Sequence, residues 1–89
     1  MQVIVAGKVE NPGVVFFESG EPPSLVRAIL KAGNFNKFAD KSKVRIIRLT
    51  EGKTVIHKID VQALLEDGKL LNDIKLQAGD LIVIDESWY

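Results

Sequence analysis

The chain offers five aspartates in its C-terminal third, one histidine, two arginines three residues apart and no cysteine. Two carboxylates held at different proton affinities can act as general acid and general base. Asp60, Asp67, Asp73, Asp80 and Asp85 are the residues that could supply such a pair. Each stands where the sequence reads as a helix cap, a turn or a strand end, and there an aspartate accepts hydrogen bonds from nearby backbone N–H groups. His57, the single histidine, is followed by Lys58. One imidazole beside an ammonium does not assemble a metal site, so His57 reads as a structural or surface residue. The lack of cysteine removes disulfides, thiolate nucleophiles, cysteine zinc sites and cysteine-held iron–sulfur clusters. This chemistry predicts no catalytic residue, no metal ligand and no cofactor, and leaves binding.

Binding groups sit most often on loops carried by a rigid scaffold. Asn11, in the corner "ENPG", is one candidate. The polar stretch "NFNKFADKSK" (34–43) holds Asn34, Phe35, Asn36, Phe38 and Asp40. Its two aromatics either fold the loop back on the core or present stacking faces for sugars or bases. Arg45 and Arg48 are suited to forked contacts with carboxylates. Three residues apart on a strand, they point to opposite faces and do not make one patch.

Charge is unevenly distributed. The chain is neutral overall, which argues against direct nucleic-acid binding. Residues 34–58 carry seven basic and two acidic groups, a net of +5, and residues 60–89 carry two basic and seven acidic, a net of −5. Two arrangements fit. The segments lie side by side and neutralise each other within one fold, or the molecule has a basic and an acidic face suited to head-to-tail association or an anionic ligand.

The elements that must position these groups are legible as periodicities. "QVIVAGKV" (2–9) has apolar residues on both faces, as an inner strand does. After the Asn-Pro-Gly corner, read as a type II turn with Gly13 at positive φ, "GVVFFES" (13–19) returns as the second arm of a hairpin. Gly7, inside the first arm, marks a bulge or a close backbone approach, or a surface left open for a ligand. "SLVRAILKAG" (24–33) is a helix with Ser24 as its cap, an apolar stripe of Leu25, Ala28, Ile29 and Ala32, and Gly33 at its end. "VRIIRLT" (44–50) and "TVIHKI" (54–59) form a second hairpin across "EGK". Asp60 caps a short helix over 61–67. "LLNDIKL" (70–76) is a crossing segment, and "LIVIDE" (81–86) is a buried central strand. Trp88 and Tyr89 mark a linker or a contact beyond it.

The 89 residues suffice for one domain, 1–89. No apolar run approaches the ~18 residues of a membrane span, and no basic-then-apolar leader opens the chain. One main helix on one face of a mixed sheet is an α+β layout. "VAGKVENPGVV", "SLVRAILKAGNF", "ADKSKVRIIR" and "NDIKLQAGDLIVIDE" together resemble the soluble ligand-binding β-grasp (SLBB) domain, in the version carried by bacterial polysaccharide export proteins. The match runs from Val3 to Glu86. Asn34 stands where many relatives have a second glycine, and Asn adopts the same left-handed backbone.

The resemblance implies a β-grasp: a five-stranded mixed sheet packed on one main helix, plus a short second helix. It implies a role in exporting capsular or extracellular polysaccharide from the periplasm or cell envelope. Other copies or domains of the export protein would then be partners in a head-to-tail ring, with polysaccharide as a ligand. Full-length members carry a signal sequence and further domains, so the chain reads as a domain excised from a larger protein. Two alternatives stay open: a soluble carbohydrate-binding module, and an accessory domain of a DNA-uptake or redox assembly.

Overall fold

The structure is a computed structural model and describes residues 1–68 and 73–87. The elements run β1 (Gln2–Gly7), β2 (Gly13–Phe16), α1 (Leu25–Lys31), β3 (Ala39–Thr50), β4 (Lys53–Ile59), α2 (Val61–Glu66) and β5 (Leu81–Glu86). Five strands form one sheet in the order β2-β1-β5-β3-β4. β1 and β5 are parallel, and the other neighbours are antiparallel. The sheet is therefore mixed and the fold is α+β, with the helix laid across one face as a β-grasp requires. β5 lies at the centre, as its uninterrupted apolar run predicts. The first part of the expected crossing segment (69–72), together with Trp88 and Tyr89, lies outside the described residues.

Alternation along the strands decides what each face buries. Val3 and Val5 of β1, Val15 just before the end of β2, Val44 and Ile46 of β3, and Ile82 and Ile84 of β5 all lie under α1. Leu25, Ala28, Ile29 and Ala32 meet them from the helix side. At seven residues the helix is too short to persist on propensity, so its ends are fixed. Ser24 Oγ accepts from the Arg27 N–H, and Asp73 Oδ1 accepts from the Val26 N–H. At the other end, Asn34 N donates to Ile29 O and Gly33 N to Leu30 O. That is a Schellman closure, with Gly33 at φ 85° and Asn34 at φ 74°.

Several expected boundaries move, among them the end of β2, read to Ser19 and found at Phe16. β1 stops at Gly7 rather than Val9, because Gly7 has φ 97° and turns the chain out of the ladder. A Cβ at Gly7 would land on the carbonyl of Ile84, the same oxygen that accepts from the Lys8 N–H at 2.9 Å. Gly7 is thus a close-approach glycine, and Ile84 occupies the space that a ligand would need. The connector over 8–12 is longer than a tight corner. Gly13 has φ 144°, not the ~80° of a type II turn; it opens β2 opposite Val5. β3 begins at Ala39, inside the expected loop. Ala39 pairs with Glu86, Ser87 N donates to Phe38 O, and the register shifts between Ala39 and Val44. Backbone pairing to β5 overrides the polar composition there.

Gly7→Ala is expected to lower stability by about 1–3 kcal/mol from backbone strain alone, with the overlap on Ile84 adding to it. Urea or thermal unfolding measures this, and an unchanged midpoint contradicts the contact.

Candidate functional site

The candidate residues fall into three places. The first is the C-terminal end of α1. The connector after β1 runs against it: Asn11 N donates to Ala32 O and Glu10 N to Asn34 O. Val9 bridges Phe35, and Asn36 N donates to Lys8 O. Asn11, of the Asn-Pro-Gly corner, therefore meets the 34–36 stretch, with its side-chain amide over the Cα of Gly33. Asn34 Oδ1 accepts from the Phe35 N–H and Asn36 Oδ1 from the Phe38 N–H, so both amides hold the loop's own backbone. Phe35 packs on the core and lines an apolar cleft of about 270 Å³ between α1 and α2. Phe38 is exposed, with Lys37 Nζ 5.1 Å from its ring centre.

The second place is the start of β3. Asp40 is almost buried and accepts from the Ser42 hydroxyl at 2.6 Å and the Ser42 N–H at 3.0 Å. These bonds, the hydroxyl first, hold its carboxyl below the usual 3.8, with help from Lys43 and against the opposing effect of burial. Asp40, Gln62, Glu66 and Ser87, with Leu65, line a mixed polar and apolar depression of about 300 Å³ between β3 and α2.

The third place is the middle of β3, where Arg45 and Arg48 do point to opposite faces. Arg48 reaches Asp80 with two parallel bonds, Nε to Oδ1 at 2.9 Å and Nη2 to Oδ2 at 2.8 Å, and touches Lys75 O at 3.3 Å. Asp80 is only 1% exposed and also accepts from the Gln77 N–H. The Asp80 bond raises the affinity of Arg48 for its proton above the ordinary arginine value. Arg48 is committed within the fold to the buried Asp80 carboxylate. Arg45, on the other face, makes one bond, Nη2 to Asp85 Oδ1 at 3.0 Å, in a half-exposed ion pair. Both pairs join the basic segment to the acidic one, because β3 and β5 are neighbours. The two segments lie side by side, as the first charge arrangement expects.

Among the described residues, no helix lies on the face that carries Arg45. Register lines up Val14, Ile4, Leu81, Ile47 and Ile56 as one apolar row across all five strands. Val14, Ile4 and Ile56 are roughly half exposed, and Phe16 is exposed beside them. Sequence reasoning saw apolar residues on both faces of β1 but not this row, because strand order is needed to align it. Next to it, Ser42, Lys43, Arg45, Ile56, Lys58 and Asp85 line a groove of about 700 Å³. Lys43 and Lys58 were missed as a pair. The available signal was period two along β3 and β4, which places Lys58 opposite Arg45.

A family model of the SLBB domain matches residues 1–84. The chain belongs to the SLBB domain family. No curated protein matches it. SLBB is a soluble ligand-binding family rather than a known enzyme family. Among the described residues, no three His, Cys, Asp or Glu side chains converge to hold a metal. No described helix of this SLBB domain is long and apolar enough to cross a membrane.

Two outcomes follow from this geometry. Asp80→Asn leaves Arg48 nearly buried without its counter-charge and is expected to cost about 3–5 kcal/mol. Asp85→Asn, at the half-exposed pair, is expected to cost under ~1 kcal/mol. Urea unfolding of both variants checks the contrast. Asp40 has a lower pKa folded than unfolded. Its ionised form therefore stabilises the fold above the ordinary aspartate value, and that contribution is lost as pH falls through the folded value. A carbon-13 NMR titration should place the Asp40 midpoint below 3.8, and Ser42→Ala should move it upward.

Proposed function

We propose that this SLBB domain is a non-enzymatic binding and assembly module of a protein that exports capsular or extracellular polysaccharide. It works in the periplasm or cell envelope, where copies or neighbouring domains build a ring or channel. The observation that supports this reading most directly is the uncovered sheet face. A row of apolar side chains across five strands is the kind of exposed patch that marks a protein–protein interface. Two ion pairs already join the basic and acidic segments inside the fold, Arg45–Asp85 and Arg48–Asp80. Assembly through this face is therefore driven by apolar burial more than by opposite charges.

A carbohydrate-binding module is the second reading. The depression lined by Asp40, Gln62, Glu66, Ser87 and Leu65 favours it, since a sugar takes both hydrogen-bonding groups and an apolar wall.

Sedimentation velocity on the chain across 0.01–1 M salt tests the first reading. A domain without tethered neighbours associates weakly, so millimolar concentrations are needed. Apolar association persists while the screening length falls from ~30 Å to ~3 Å. Phe16→Lys or Ile4→Lys should abolish it. Strict monomers at millimolar protein, with NMR shifts around Asp40 on adding neutral oligosaccharide, would favour the second reading.

A further inference from the structure

The two arginines of β3 differ in how much of their hydrogen-bonding capacity the fold uses. Arg48 makes three bonds, two of them to a buried carboxylate. Arg45 makes one. Its Nε is the only buried side-chain nitrogen or oxygen among the described residues with no hydrogen-bond partner. A buried N–H without an acceptor costs stability that the fold does not recover here. The guanidinium has five donors, and most remain uncommitted.

Its surroundings are a built groove rather than a flat surface. Lys43 and Lys58 stand on either side, on β3 and β4, with their ammonium groups free to turn inward; Lys43 Nζ has only a 4.0 Å approach to Asp40. These groups can only donate. The groove also holds acceptors. Asp85 keeps an oxygen beyond the one it shares with Arg45. Ser42 gives its hydroxyl proton to Asp40, so its oxygen is left with acceptor capacity. Ile56 supplies an apolar wall.

We infer that this groove binds a sugar acid, a saccharide unit carrying a carboxylate, with the carboxylate held by Arg45, Lys43 and Lys58. The combination of groups selects that class. A planar carboxylate matches the guanidinium fork. The ligand's hydroxyls donate to Asp85 and Ser42, which a small carboxylate without hydroxyls, such as acetate, cannot do. The C–H face of the sugar ring lies on Ile56. About 700 Å³ is within the range of small-molecule sites. The inference does not depend on the assembly proposed above, since every group in the groove comes from one chain.

The test is a nitrogen-15 NMR titration of the chain at a dilute, monomeric concentration with sodium glucuronate. Glucose and sodium acetate serve as separate arms at matched ionic strength. Saturable shifts in residues 42–45 and 56–58 and in the Arg45 Nε–H are expected with glucuronate. Glucose, lacking the carboxylate, and acetate, lacking the hydroxyls, should each bind at least about tenfold more weakly. Lys43→Ala and Lys58→Ala are exposed changes that leave unfolding unaltered, and each should weaken glucuronate binding by about tenfold. Arg45→Gln should abolish it. Equal responses to glucuronate and acetate would mean non-specific anion attraction and overturn the proposal. Shifts confined to residues outside the groove would overturn it too, as would tighter binding of a Glu-rich peptide than of glucuronate.

Discussion

A carboxylate that is 1% exposed cannot be left unpaired in a domain of this size. Asp80 sits at the turn into β5, and its neutralisation organises three strands at once. Its two oxygens take both forks of Arg48 from β3 and the N–H of Gln77 from its own turn. Its backbone carbonyl accepts from the Ile4 N–H of β1. The start of β5 is thereby fixed between its two neighbours, and with it the register of the only parallel pair among the described strands. From that register follow the close approach of Ile84 to Gly7 and the burial of Ile82 and Ile84 beneath α1. An ion pair in such a place contributes little net stability, since desolvation offsets attraction. Its consequence here is that one alignment satisfies the charge and a slipped one does not.

The same strand shows how a sheet sorts chemistry between its faces. Arg45 and Arg48 are separated by three positions, so the pleat sends one toward the helix layer and the other toward the open face. Toward the helix layer, the arginine is consumed by a structural carboxylate. On the open face, a half-exposed ion pair leaves most of the guanidinium free. Equal residue types within three positions thus carry different roles, and burial is what separates them.

The open face is the other consequence of this architecture. Both described helices lie on or beside the opposite face, so among the described residues no second layer covers this face of the five strands. Their apolar row is continuous because strand order brings Ile4, Leu81 and Ile47 together from distant parts of the chain. Membership of the SLBB family accounts for the scaffold.

Much of the scaffold is legible in the sequence, because local rules govern it. The Leu25, Ala28, Ile29 and Ala32 stripe, the Ser24 cap, the Gly33 end and the unbroken apolar run of β5 each follow from side-chain period and backbone preference over a few residues. The opposite orientation of Arg45 and Arg48 follows from the pleat alone. The start of β3 at Ala39 is not local, since it depends on pairing with Glu86, and the polar stretch gives no hint of it. Nor is the meeting of Asn11 with Gly33, or the choice of Asp80 rather than Asp85 as the buried partner. Residue types and spacing determined the elements and the list of groups able to bind. Only the tertiary structure decided which of those groups are already engaged. Hydrogen-bond saturation and burial depend on contacts between residues some 30 to 40 positions apart, and no local pattern encodes them.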